Sequence, residues 1–511
     1  MSVATRNWIG FAAMCVAMFM AILDIQVVAS ALVAMGTALH IGDDQLSWLQ
    51  NAYLTAEIVA IPLTGWLTRT FGLRNLFAVA TLGFTLASLG CALSNGFEAL
   101  VTLRIVQGFF GGMLIPSVFS AVFMLMPEKD RVRATTFAGI AAMLAPTLGP
   151  LIGGYLAERY SWHWIFLINL LPGLASAAVV ALAIPREKAD WRELHGLDWI
   201  SIVLASLSLA CFEILLKEGP PHHWAGLEVA GFAAVMLIAG TVAVRRCLAR
   251  EKPFVNLRDF ADLRFSIGSL FSFVLGMGLY GSVYLLALFL GLVRGHTPFE
   301  TGEIMIVAGG VQLLTAAVAA WAETRFDARL LTSLGFGLFG AGLILNAFST
   351  VDTDFAGLFW PQVLRGAAVM FCLLPATRLA LDHQPQEGVA DASGLFNLLR
   401  NVGGAIGIAG VDTILQERAP DHAAAIVKRL MAGDPTAARL VGLPTERFHN
   451  VPLGPIDAMT RAIVEPLIRK AALSQAFNEA WFGLGVLFIL SLVLIPFIRQ
   501  PKPTSLPGAA Q

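Results

Sequence analysis

The chain has 511 residues, 57% of them hydrophobic and only 14% charged, with 34 basic against 35 acidic side chains. Soluble domains carry about 25% charged residues, and no water-soluble fold of this length hides so much apolar surface, so the composition excludes one and makes a lipid bilayer the solvent. The near-neutral balance also removes the basic surface that nucleic-acid binding requires.

A helix needs about 20 mainly apolar residues to cross the roughly 30 Å hydrocarbon layer. That ruler predicts an all-α polytopic protein with fourteen spans, near 8–33, 47–67, 75–95, 99–121, 135–157, 163–184, 197–216, 224–244, 265–290, 301–321, 329–348, 355–377, 393–413 and 477–498. The first apolar run lacks a small-residue cleavage site, so it is expected to be a retained span. It carries Asp24, and the second span carries Glu57. The following loop holds Gly65, Arg69, Gly72 and Arg74. Span four holds Arg104 and Gln107, and span five a run with Pro146, Gly149, Pro150, Gly153 and Gly154. Glu213 falls near the outer end of span seven, where an interfacial carboxylate is expected; Arg365 lies in span twelve and Arg400 and Asp412 in span thirteen. Residues 413–476 are predicted to form a long outer loop, with amphipathic helices at Ala423 to Met431 and Ile456 to Leu473.

Basic residues orient the chain. With both termini inside, the inner loops and tails hold 20 Lys/Arg and the short outer loops three, while the long loop holds eight and the spans three. Short loops rich in Lys and Arg stay on the cytoplasmic side, and long loops cross largely regardless of charge. The expected location is therefore an inner, cytoplasmic membrane with both termini cytoplasmic.

A charge at the bilayer centre costs at least about 2.5–3.5 kcal/mol, so it needs a partner or a wet cavity. Asp24, Glu57 and Arg104 fall at compatible depths in the N-terminal spans. A carboxylate that moves toward or away from Arg104 could switch between holding and releasing a proton. A static ion pair that keeps helices in register is the alternative. Gln107, Arg365, Arg400 and Asp412 are expected to face substrate or its cavity. Gly108 with Gly112, and Gly149 with Gly153, present G-x-x-x-G faces for close helix approach. Pro146 and Pro150 remove backbone donors and bend span five, which suits it to sealing one side of a cavity.

No cofactor, metal or catalytic chemistry is expected. The five cysteines form no C-x-x-C pair, and both G-x-G-x-x-G matches, beginning at Gly276 and Gly335, lie inside apolar spans instead of at a strand-to-helix turn. His222 and His223 read as a solvated pair.

Gly108, Pro127, Ala134 and Gly149 recur as Gly366, Pro385, Ala392 and Gly407, each displaced by 258 residues. The repeat predicts two six-helix bundles, 1–184 and 265–511, separated by an extra helix pair and inner-side linker at 185–264.

These motifs resemble the major facilitator superfamily, specifically its fourteen-span drug/proton antiporters of the EmrB/QacA type and, within them, EmrB-like multidrug exporters. The resemblance rests on Leu23-Asp24 in span one, Arg104-x-x-Gln107-Gly108 in span four, Ala145 to Gly154 in span five and Trp162-His-Trp-Ile-Phe-Leu-Ile-Asn169 after it. One motif departs. The loop after span two in relatives reads G-x-L-x-D-x-x-G-x-R/K, and the acidic position is Arg69 here. The equivalent loop of the second half, with Glu323, Arg325, Asp327 and Arg329, is expected to supply the missing acid. The resemblance implies proton-coupled efflux of small amphipathic drugs by alternating access, a periplasmic adaptor and an outer-membrane channel as partners, and protons and lipid as its surroundings. Transport of one metabolite on the same fold, or a membrane sensor without transport, are the alternatives; the span-five motif and the intramembrane charges favour antiport.

Overall fold

The computed structural model describes residues 2–41, 43–187, 189–191, 198–251, 253–386, 388–449, 451 and 458–497, and among them it is helical with no strand. In chain order the α-helices are α1 (Val3–Leu39), α2 (Asp43–Ala60), α3 (Leu63–Phe71), α4 (Leu73–Leu93), α5 (Phe97–Leu125), α6 (Glu128–Arg159), α7 (Trp164–Leu167) and α8 (Leu170–Ala183). The second part continues with α9 (Trp199–Glu218), α10 (Leu227–Ala249), α11 (Leu263–Phe289), α12 (Pro298–Glu323), α13 (Ala328–Asn346), α14 (Phe355–Leu381), α15 (Val389–Met431), α16 (Pro435–Val441) and α17 (Ala458–Ser491).

Twelve described helices are long and apolar enough to cross a membrane, and α6, bent by 44° between Pro146 and Leu151, makes a thirteenth. The bend falls where proline removes a backbone donor. The Pro150 side chain lies outside the described residues. The fourteenth crossing is α2 with α3, which hydropathy alone passes over because the pair carries Gln50, Asn51, Glu57 and Arg69. It must cross: α1 ends on the far side at Leu39, while Arg69 of α3 meets Asp391 beside the start of α15, on the side where α1 begins. We call that side the N-terminal face and the opposite one the far face.

The repeat seen in the sequence is a repeat of packing. A Cβ on Gly108 of α5 would strike the Tyr53 carbonyl oxygen of α2, and one on Gly366 of α14 would strike that of Ala308 in α12. Likewise Gly149 of α6 rests on Gln26 of α1, and Gly407 of α15 on Met277 of α11. Small residues recur at these four places because two backbones approach within hard contact, the dispersion-driven association available where lipid supplies no hydrophobic force. Gly112 on Glu57 and Gly153 on Val27 and Ser30 extend the two N-terminal faces, and Gly154 is buried beside them. Gly153→Val is therefore expected to cost about 3 kcal/mol or more through overpacking. The check is thermal unfolding of the detergent-purified protein, with Gly410→Ala, where an added methyl meets open space, expected to melt like wild type.

The extra pair, α9 and α10, is only 22% and 17% buried over its apolar windows against 78% for α5, which places it at the periphery against lipid. Asp198 caps α9 by accepting from the Ser201 backbone and also accepts from Arg246 of α10 at 2.7 Å. Those bonds, with Arg246 the largest influence, hold the Asp198 carboxyl well below the usual carboxylate range.

The predicted long outer loop is largely helix. The 43-residue α15 runs through Pro420 to Met431, about 64 Å at 1.5 Å per residue, roughly twice the hydrocarbon thickness. Its surplus projects from the far face beside the start of α17. Ile426 and Leu430 pack there with Ala437, Val441 and Ala472 in a small core separate from the main one. Glu479 braces the base, accepting from Arg418 at 2.7 Å and sitting 2.9 Å from the His422 ring. The predicted run at Ala423 to Met431 is thus the end of α15. The other predicted run begins at Ile456, outside the described residues, and its described part opens α17.

Candidate functional site

The intramembrane charges of the N-terminal bundle converge on Asp24. Its side chain is 1% exposed, and Arg104 on α5 forms an ion pair with Oδ2. Gln107 Nε2 and Asn169 Nδ2 donate to Oδ1 at 3.0 and 2.8 Å. Arg104 also donates to the Leu49 carbonyl at 2.9 Å and to Gln107 Oε1 at 2.7 Å, and its guanidinium lies 4.4 Å above the Tyr53 ring. Ser88 on α4 accepts from Gln107 at 2.8 Å. Arg104 and Gln107 of α5 and Asn169 at the N-terminus of α8 thus meet at one carboxylate of α1, which accepts every one of these bonds, with Ser88 of α4 bonded to Gln107 behind it. Gln107 joins because it stands three residues after Arg104 on the same face of α5.

Glu57 is 6% exposed on α2, and no hydrogen bond links it to Arg104. It lies in the electrostatic range of Asp24, Arg104 and Glu213. Glu213, expected at the interface, instead points inward: its Oε2 is buried without a hydrogen-bond partner because α9 packs against α2.

The two halves enclose a cavity of about 470 Å³. It reaches toward the far face, where Leu32, Gln50, Gly291 and His296 line it. Asp24 turns away from it into the N-terminal bundle, while Ile22 and Gln26, two residues to either side on α1, line it. Pro146 lines it at the bend of α6. Arg365 and Arg400, expected to face substrate or its cavity, both line the cavity. Gln107 does not, since the Asp24 network holds it. Asp412 does not line it either: it accepts from Tyr284 at 2.7 Å, and it is Tyr284 that faces the cavity.

Toward the N-terminal face the halves close on one another. Arg69 of α3 pairs with Asp391 of α15, whose backbone lies so close to Gly65 that any side chain there would collide. Arg131 donates to Asp382 at 2.6 Å, and Ser393 Oγ donates to the Pro116 carbonyl at 2.9 Å. Gly72, with φ +79°, ends α3 in the positive-φ region that favours glycine. Glu187 accepts from the Leu73 amide at 2.8 Å and caps α4. Arg74 is half-buried beside it with no ion pair among the described residues. The loop of Glu323 to Arg329 does not supply the acid missing at Arg69: Glu323 accepts from Arg378 of its own half at 3.0 Å, and Asp327 caps α13. Asp259, in the linker before α11, sits near this contact, and burial first, then the Asp391 and Asp262 charges, push its carboxyl up to about 6.

Sequence reasoning thus found Asp24, Glu57, Arg104, Arg365 and Arg400 and missed Ser88, Tyr53, Asn169, Tyr284 and Asp391. Asn169 closes the Trp162 to Asn169 stretch, and that motif was the available signal.

Residues 14–408 match the Major Facilitator Superfamily. The chain is 34% identical to the colistin resistance protein EmrB of Acinetobacter baumannii over 98% of both chains. It is 28% identical to the fatty acid resistance protein FarB of Neisseria gonorrhoeae over 95% of this chain and 94% of that one. The multidrug export protein EmrB of Escherichia coli is 27% identical over 96% of this chain and 94% of its own. Among solved structures, the proton:xylose symporter XylE superposes with a TM-score of 0.58 at 13% identity over 98% of this chain and 97% of that one, which shows a shared fold.

Proposed function

The chain belongs to the major facilitator superfamily, and from that premise we propose that it exports amphipathic compounds from the cytoplasm in exchange for protons, with Asp24 and Arg104 as the coupling pair. Relatives named for multidrug export and for fatty acid resistance support efflux of amphipathic molecules by this chain. The observation that carries the coupling is the buried carboxylate of α1 that accepts from Arg104 and Gln107 of α5 and from Asn169 at the start of α8, with Ser88 of α4 bonded to Gln107.

Protonating Asp24 removes the charge that holds Arg104 and leaves Gln107 and Asn169 facing a weaker acceptor. The constraint between α1 and α5 then loosens. Because α1 carries Gln26 and Ser30, which pack on Gly149 and Gly153 of the bent α6 and also line the cavity, a shift of α1 reaches the cavity wall directly. Substrate bound against Ile22 and Gln26 acts on the same helix from its other face. Glu57, with Glu213, is a second protonation site beside the pair.

The basic N-terminal face is cytoplasmic on this reading, and the conformation described is outward-facing, with Arg69–Asp391 and Arg131–Asp382 as inner latches. One proton supplies about 2.3 kcal/mol per 100 mV and about 1.4 kcal/mol per pH unit, enough for a gradient of tens-fold in a neutral substrate. The far-face extension of α15 and α17 is the surface for a periplasmic adaptor leading to an outer-membrane channel.

The test is accumulation of a fluorescent amphipath in inside-out vesicles energised by an imposed pH gradient. Accumulation that collapses with a protonophore is expected; accumulation indifferent to the gradient contradicts the reading.

A further inference from the structure

We infer that the central cavity is a receptor for amphipathic anions, whose charged head is held by Arg400 and Arg365. The inference names the substrate class of the efflux site proposed above and rests on that reading for its direction of transport.

Both arginines line the cavity and are more than nine-tenths buried, at 4% and 5% exposure. Among the described residues, neither has a carboxylate within ion-pairing distance and no aspartate or glutamate lines the cavity. Arg400 donates through Nε to Ser272 at 3.2 Å, and its Nη2 is buried with no partner. Arg365 donates to Gln362 at 2.9 Å and Ser282 at 2.6 Å, and its Nε is likewise without one. Aromatic faces at 5.0 to 5.8 Å, Phe396 and Phe119 for Arg400 and Phe339 for Arg365, give partial compensation. They supply no counter-charge.

The internal repeat provides a control within the molecule. Arg104 and Gln107 correspond through the 258-residue offset to Gln362 and Arg365, the same hydrogen-bonded pair with its two residues exchanged. In the first half the arginine faces Asp24 of α1. In the second half the helix that repeats α1 is α11, and it offers Arg365 only a serine hydroxyl. A buried guanidinium without its acid is costly, and a substrate that brings the acid relieves that cost on binding. The two serines are ten residues apart on α11, about 15 Å along the helix, so the head has one cationic stop near mid-depth and a second nearer the far face. Ile115, Leu279 and Met305 offer apolar wall for the tail. An anion leaving an inside-negative cell while one proton enters moves two charges outward-negative per cycle, which doubles the effect of membrane potential.

The test compares three probes with one dansyl-undecanyl tail: the carboxylate, its neutral primary amide and a trimethylammonium analogue. Dansyl fluorescence reports equilibrium binding to the full chain in lipid nanodiscs. The carboxylate is expected to bind at least tenfold tighter than the ammonium. Arg400→Gln and Arg365→Gln are each expected to weaken the carboxylate at least fivefold and the amide less than twofold, and Arg→Lys at each site to keep the preference. Ammonium binding as tight as carboxylate in the wild type overturns the inference, whatever the folding of the variants; so does a charge preference that survives the double glutamine variant. Binding is measured without flux, so carboxylate selectivity with no transport would leave this inference standing and sink the efflux reading, while pH-driven transport of the ammonium alone would do the reverse.

Discussion

Asp24→Asn is expected to abolish proton-coupled transport while leaving the protein folded. The substitution keeps the side-chain shape and an oxygen for Asn169 and Gln107, whose donors lie 2.8 and 3.0 Å from the present carboxylate. It removes the charge opposite Arg104, which is fully buried and, among the described residues, has no other carboxylate within ion-pairing distance. Breaking a buried pair by neutralising one partner costs about 3–5 kcal/mol, here reduced because Arg104 keeps its bonds to Leu49 and Gln107 and the Tyr53 face. Uphill accumulation in vesicles is expected to fall at least a hundredfold, whereas downhill equilibrative exchange survives. If Asp24→Asn pumps against a gradient, the carboxylate is a structural ion pair only.

The second large effect lies on the N-terminal face. Arg69→Asp places a carboxylate against Asp391, the residue that now pairs with Arg69 and is 8% exposed. Losing this part-buried pair and gaining a like-charge contact is worth about 3 kcal/mol against the closed face, the low end for a buried pair, on the order of a hundredfold in the balance between conformations. The variant is expected to lose at least nine-tenths of its transport and to expose position 393, now hydrogen-bonded across the halves to the Pro116 carbonyl, to a thiol reagent in a Ser393→Cys background. The exchange variant, Arg69→Asp with Asp391→Arg, restores the pair with its polarity reversed and is expected to recover most transport and protection. An exchange variant as impaired as the single one contradicts an ion-pair latch.

How much of this was legible in the sequence follows from what a bilayer makes costly. Asp24 and Arg104 stood out because a charge in a twenty-residue apolar run is expensive, and the structure brings those two together. Ser88, Tyr53 and Asn169 did not, since neutral polar side chains are common in membrane helices and nothing in their spacing singles them out. Gln107 was read as a cavity residue because periodicity gives a face of α5 without saying what that face meets. Asp391 was hidden for another reason: in the first turn of α15 it reads as an ordinary helix-start acid, and only the approach of Gly65 shows its partner. The Pro146 bend, the glycine faces and the repeat carried through to packing because each depends on local backbone chemistry. The helical extension of α15 was misjudged because hydropathy measures where lipid ends, not where a helix does.

The most direct test of coupling runs the cycle in reverse. In proteoliposomes with no pH gradient imposed, an outward gradient of the dansyl-undecanyl carboxylate should drive protons the opposite way, detected by a trapped pH dye. Wild type is predicted to move protons in proportion to substrate, and Asp24→Asn to move substrate with none. Substrate flux through the wild type with no proton movement, or unchanged proton movement in Asp24→Asn, would contradict the account.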